Sequence, residues 1–126
     1  MSAKILLVED NENNRYLAEF LLTNAGYTVI HSPNGKTALV DAVRVMPDLI
    51  LMDIQMPEMD GYEAARHLRK NPLLSHVPVI AVTSYAMAGD RERALNSGFQ
   101  GYMEKPINPE TFVAEITSFL KPKPSP

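Results

Sequence analysis

Residues 49–61 read Leu49-Ile50-Leu51-Met52-Asp53-Ile54-Gln55-Met56-Pro57-Glu58-Met59-Asp60-Gly61. Four apolar residues in unbroken succession lead straight into a carboxylate and then a loop. A run of this kind, with no polar alternation, predicts a strand covered on both faces, as in parallel sheets flanked by helices. A carboxylate at the mouth of such a strand is costly unless something uses it. The pattern recurs: Ile5-Leu6-Leu7-Val8 leads into Glu9-Asp10, and Val79-Ile80-Ala81-Val82 leads into Thr83-Ser84. If the first and third strands lie side by side and parallel, Glu9, Asp10 and Asp53 meet at one edge of the sheet. That arrangement invites a divalent cation and phosphoryl chemistry.

Weaker strands are expected at 28–31 and 101–103. Helical patterns fill the gaps. Residues 13–25 carry Leu17, Phe20, Leu21 and Asn24 at helical spacing and stop at Gly26, a good C-terminal cap. Residues 34–45 carry Ala38, Leu39, Ala42 and Val43 and end before Pro47. Further helices are expected at 61–70 and 90–96. The last begins with Asn108 as N-cap and Pro109 in its first turn, and runs through Phe112, Val113, Ile116 and Leu120. Five β-α units in succession predict a doubly wound α/β sandwich, (βα)5, whose functional residues sit at the carboxyl ends of the strands. Residues 1–121 are expected to form one domain, with 122–126 as a Pro-rich tail.

Composition narrows the function. The 126 residues, 45% hydrophobic, suffice for a single core without metal or disulfide staples. Cysteine is absent, which excludes thiol catalysis and zinc–thiolate sites and fits a reducing cytoplasm. A net charge of −3 gives no basic footprint for nucleic acid. No apolar stretch approaches the roughly 20 residues of a membrane span, and Met1-Ser2-Ala3-Lys4 leaves no room for a signal peptide. A cytoplasmic protein with no membrane association is the expectation.

Four strand ends thus carry polar residues: Glu9-Asp10, Asp53, Thr83-Ser84, and Lys105 just beyond the fifth strand. Asp10 and Asp53 are 43 residues apart, Asp53 and Thr83 are 30 apart, and Thr83 and Lys105 are 22 apart. In this order and spacing, with Lys105-Pro106 closing the set, the residues resemble the receiver domain of two-component response regulators. The resemblance covers essentially the whole chain and implies the strand order 2-1-3-4-5. It implies that Asp53 accepts a phosphoryl group and that the hydroxyl of Thr83 hydrogen-bonds a phosphoryl oxygen. Tyr102 would then turn inward, reshaping the face built from the fourth helix, fifth strand and fifth helix. A cis Lys105–Pro106 bond is also implied.

The chemistry is coherent in itself. Phosphoryl transfer needs positioning and charge neutralisation more than covalent assistance, and a carboxylate can serve as the nucleophile. Glu9, Asp10 and Asp53, with the backbone carbonyl of Gln55 and water, make an all-oxygen site that suits Mg²⁺. Lys105 brings a mobile point charge to the phosphoryl oxygens. Gln55 and Tyr85 stand where the family tunes phosphate lifetime, and Ser84 stands where it usually has a small residue. His31, His67 and His76 read as structural or solvent-facing, and Met56 and Met59 as loop packing.

The expected partners are a sensor histidine kinase or a histidine phosphotransfer protein, docking on the first helix, and a downstream protein. The segment Asp10-Asn11-Glu12-Asn13-Asn14-Arg15 resembles receivers of phosphorelays, including stand-alone cell-division regulators. A receiver segment excised from a hybrid histidine kinase or multidomain regulator is the alternative. A Mg²⁺-dependent phosphohydrolase of similar fold would place an acid two residues after the nucleophile, where this chain has Gln55. A nucleotide or flavin carrier would need a Gly-rich loop after the first strand, where Glu9-Asp10-Asn11-Glu12 is acidic instead.

Overall fold

The three unbroken apolar runs occupy the centre of one sheet. The computed structural model describes residues 3–54, 60–83 and 89–120. Its elements are β1 (Lys4–Val8), α1 (Glu12–Asn24), β2 (Thr28–Ser32), α2 (Gly35–Val45), β3 (Leu49–Asp53), α3 (Gly61–Lys70), β4 (Val79–Thr83), α4 (Asp90–Asn96), β5 (Gly101–Glu104) and α5 (Phe112–Leu120). The strands pair in parallel in the order β2-β1-β3-β4-β5. The expected doubly wound topology is the one observed. Residues 122–126, expected as a tail, lie outside the described residues.

The lack of alternation in the central strands has a direct cause. Leu6, Val8, Ile50, Met52, Val79 and Ala81 share a core with Ala38 and Ala42 of α2, Leu68 of α3 and Ala94 of α4. Ile5, Leu7, Leu49, Leu51, Ile80 and Val82 enter a second core, closed by Ala18 and Leu22 of α1 and by Phe112 and Ile116 of α5. Each such Leu or Ile contributes about 1.5–3 kcal/mol on burial. The sheet is therefore clamped from both sides, and polar residues are left only at its ends.

Local chemistry sets the helix boundaries. Asn11, Asn34 and Asp60 each have extended backbone and accept the amide hydrogen of the residue three positions on, a standard N-cap. α1 closes with Tyr27 N–H donating to Leu22 O and Gly26 N–H donating to Thr23 O. Gly26 has φ 97°. This is a Schellman ending, in the left-handed region that glycine enters without penalty.

Two details differ from the expected pattern. In α1 the buried residues are Ala18 and Leu22, while Phe20 is 54% exposed beside Tyr16 at 72%. The sheet buries Ala18 and Leu22, takes up Leu21 in part, and turns Phe20 outward. The fifth helix starts at Phe112, later than the Asn108 cap implied. Asn108 Oδ1 accepts Glu110 N–H at 3.0 Å and its carbonyl accepts Phe112 N–H at 2.9 Å, so it organises a turn that precedes the helix.

α4 is the least supported helix. It has seven residues, its N-cap is Gly89 with no side-chain hydrogen bond, and only Ala94 is buried. Arg93 lies over the ring of Tyr62 in α3 at 4.0 Å. Tyr62 in turn meets Phe99 edge-on, with ring centroids 6.2 Å apart.

One polar contact ties α2 to the edge strand. Ser32, fully buried, donates its hydroxyl to Asp41 Oδ2 at 2.5 Å. That hydrogen bond, with help from Arg44, holds the Asp41 carboxyl below its ordinary 3.8. A lowered carboxyl contributes stability above pH 3.8 that disappears as the pH falls below it. Asp41→Ala is expected to strand the Ser32 hydroxyl and cost about 1–3 kcal/mol in urea unfolding at pH 7. The deficit should shrink below pH 3.8, which a pH series of the same unfolding curves would check.

Candidate functional site

The polar strand ends converge at one edge of the sheet. Glu9 follows the last ladder pair of β1, Val8 with Ser32. Asp53 ends β3 opposite Val82 of β4, and Thr83 ends β4 opposite Glu104 of β5. Glu9 and Asp53 are 5% and 4% exposed, Thr83 is fully buried and Asp10 is exposed. One carboxylate oxygen from each of Glu9, Asp10 and Asp53 lies within 4.8 Å of the others. The sequence expectation that these three acids meet is met in space.

Lys105 reaches into the group from beyond β5. Its Nζ is 2.8 Å from Glu9 Oε1 and 3.1 Å from Asp53 Oδ2, with the side chain almost wholly buried. Its backbone N–H donates to Thr83 O at 2.7 Å, which holds the base of the side chain over β4. The Lys105–Pro106 bond is cis. Past Asp53, Ile54 N–H donates to Val82 O and Gly61 N–H donates to Ile54 O. A Cβ on Gly61 would lie 2.6 Å from Ile54 Cα, so only glycine permits this close return of the chain beneath the site.

The charges are strongly interdependent. Burial pushes the Glu9 carboxyl up from 4.5 to about 7; the Asp53 carboxylate adds to the rise, and the Lys105 ammonium opposes it. Burial pulls Lys105 down, but its hydrogen bond to Glu9 and the charges of Asp53 and Glu9 outweigh that and leave it raised. Two buried carboxylates sharing one ammonium are under-neutralised, and an exposed third acid stands beside them. An all-oxygen, acidic, partly open group of this kind fits a small hard divalent cation.

Tyr102 is half-buried against the core beneath α4. Its hydroxyl is shielded from solvent and has no hydrogen-bond partner among the described residues. Burial, then the Asp90 charge, pushes its phenol above the ordinary 10. Gln55, Met56, Met59, Ser84 and Tyr85 lie outside the described residues. His67 and His76 are exposed. His31 is not a bystander: its Nε2 is 2.7 Å from the carbonyl oxygen of Glu9. No sequence signal marks it, because the contact depends on how far β2 extends beside β1.

Comparison with known proteins agrees with this geometry. Residues 5–117 match the family model of the response regulator receiver domain. The chain belongs to that family. Among the receiver's relatives is the polar-differentiation response regulator DivK of Brucella anthropi, 45% identical over 120 residues, covering 95% of this chain and 98% of that protein. A response regulator structure from Chloroflexus aurantiacus superposes with a TM-score of 0.90 at 26% identity, over 95% of this receiver and 98% of that chain. The receiver domain of a sensor histidine kinase from Pseudomonas aeruginosa superposes with a TM-score of 0.83 at 39% identity, over 95% of each chain. That structure has a magnesium ion coordinated in its active-site cleft. Among the described residues of this receiver, no helix is long and apolar enough to cross a membrane.

The raised Glu9 carboxyl carries a pH signature. The folded state holds this proton more tightly than the unfolded chain, so its contribution to stability is complete below pH 4.5. It is lost as the pH climbs through about 7. In chelator, the melting temperature is therefore expected to fall across that window, and Glu9→Gln should flatten the fall. Thermal unfolding of both proteins from pH 4 to pH 8 would check it.

Proposed function

We propose that this receiver is a phosphorylation-controlled signalling module whose phosphoacceptor is Asp53. The observation that carries the reading is the Lys105 ammonium set between Glu9 and Asp53, with Asp10 in reach, at the carboxyl end of the sheet. In the reaction, Asp53 Oδ attacks the phosphorus of a phosphohistidine. The P–O bond forms as the P–N bond breaks, and the imidazole leaves with the electron pair. Lys105 faces the acceptor oxygen and can follow it to the phosphoryl group, since its Glu9 contact leaves it a second anchor. Thr83, buried at the end of the neighbouring strand, would donate its hydroxyl to a phosphoryl oxygen.

Glu9, Asp10 and Asp53 would hold Mg²⁺, joined by the backbone carbonyl of Gln55. When bound, Mg²⁺ neutralises charge on the transferring oxygens. Proximity and charge placement are the whole of the chemistry here, and the chain acts on no other substrate. Domain extent 1–121, with 122–126 outside it, goes with this reading, as does a cytoplasmic setting, where kinases charge their histidines from ATP.

The donor is a histidine kinase or histidine phosphotransfer protein. It must bring an imidazole to the open side of Asp53, and α1 rises from that side beginning at Glu12. Tyr16 and Phe20 stand exposed one turn apart on α1, flanking a shallow groove with Glu19, Thr23 and Asn24. Aromatic anchors of this kind suit a partner helix laid along α1. The readout is a shift in the α4–β5–α5 face, with Thr83 and Tyr102 linking it to Asp53. Phosphate needs to favour one state by only a few kcal/mol to invert the populations.

Asp53→Asn is expected to abolish labelling by a small acyl phosphate in Mg²⁺, read by intact-protein mass spectrometry; stoichiometric labelling of the variant would overturn the assignment. Tyr16→Ala and Phe20→Ala are each expected to slow transfer from a histidine phosphodonor by about tenfold relative to acyl phosphate labelling. Equal effects on both donors would remove α1 as the docking face.

A further inference from the structure

We infer that His31 is a positioning residue for the Glu9–Asp10 pair; the inference rests on reading Glu9, Asp10 and Asp53 as the Mg²⁺ site. The β1–β2 ladder ends at Val8 and Ser32. One more backbone bond follows, from Glu9 N–H to Ser32 O at 3.2 Å. The carbonyl of Glu9 lies beyond the reach of β2's backbone, and the His31 side chain takes it instead, at 2.7 Å. A carbonyl can only accept, so Nε2 carries the hydrogen in this contact.

The position of that carbonyl is what gives the contact its effect. It belongs to the peptide unit joining Glu9 to Asp10, whose six atoms are held in one plane. Pinning its oxygen on one side and Glu9 N–H on the other sets the direction in which both side chains leave the backbone. Successive side chains of an extended strand point to opposite faces. Two adjacent acids can therefore serve one site only if the chain turns at the peptide between them. His31 braces that turn. Asn11 N–H, donating to Glu9 Oε2 at 3.2 Å, completes the restraint from the far side. The edge strand β2 therefore holds the acidic pair at two points, through the backbone oxygen of Ser32 and through the side chain of His31.

The test is a Mg²⁺ titration at pH 8, followed by the backbone amide resonances of Glu9, Asp10 and Asp53. The proteins are wild type, His31→Phe, His31→Ala, His31→Gln and Asp10→Asn, each first shown to be folded by its metal-free melting curve. Phe keeps the ring and loses the donor; Gln loses the ring and keeps an N–H at similar reach. Removing a group that orients a ligand commonly weakens metal binding by about tenfold or more. His31→Phe is expected to raise the Kd for Mg²⁺ about tenfold, and His31→Gln to return it to within about threefold of wild type. His31→Ala gives the donor-free value should Phe prevent folding. Wild-type affinity in the donor-free variants, or an equal loss in His31→Gln, would overturn the role of His31 and leave the metal site standing. A wild-type protein that binds no Mg²⁺, indistinguishable from Asp10→Asn, would instead overturn the metal reading on which the inference rests.

Discussion

One ammonium shared between two buried carboxylates is the constraint around which this molecule is arranged. Charges removed from water are unfavourable unless their geometry is good, and a pair broken on one side leaves a costly remnant. Glu9 and Asp53 come from adjacent strands β1 and β3, while Lys105 comes from beyond β5, roughly 14 Å from β1 at ordinary strand spacing. A lysine side chain cannot cross that distance alone. It succeeds because its backbone N–H continues the β4–β5 ladder to Thr83 O, which fixes where the side chain starts, and because the Glu9 and Asp53 side chains cover the rest of the distance. The strand order and the turn after β5 are both required for a single Nζ to touch both acids.

The rest of the fold supplies the stability that this group does not. Both faces of β1, β3 and β4 are apolar and covered, so the strands have no freedom to tilt their polar ends apart. The acids are thereby kept out of water and beside one another: burial pushes the Glu9 carboxyl up to about 7, and the Asp53 carboxylate adds to the rise. Added positive charge at this edge would offset both effects.

Most of this was legible in the chain. The runs ending at Val8, Met52 and Val82 announced a two-sided sheet, and each strand observed extends those runs by one residue at an end. The acids, Thr83 and Lys105 were visible as polar residues in places where apolar ones belong. Less legible was anything that depends on which stripe of a helix the sheet can accept. Phe20 looked like a core residue by spacing, yet Ala18 and Leu22, with Leu21 packed in part, meet the core and leave it outside. Asn108 carried the mark of an N-cap, but Pro109 and Glu110 complete only a turn before the helix begins at Phe112. The bond from His31 to the Glu9 carbonyl had no signature at all, since it joins a side chain to backbone across two strands.

The weakness of α4 has a consequence of its own. Helices shorter than about 12–15 residues do not persist in water without help, and this one has seven residues and no side-chain cap. What keeps it formed is packing, notably a guanidinium resting on the ring of Tyr62 in the next helix. Local unfolding is therefore least expensive at α4, and much dearer across the doubly covered strands. The doubly covered strands are the firm frame of the molecule, and α4 is the part of the described fold with the least holding it to that frame.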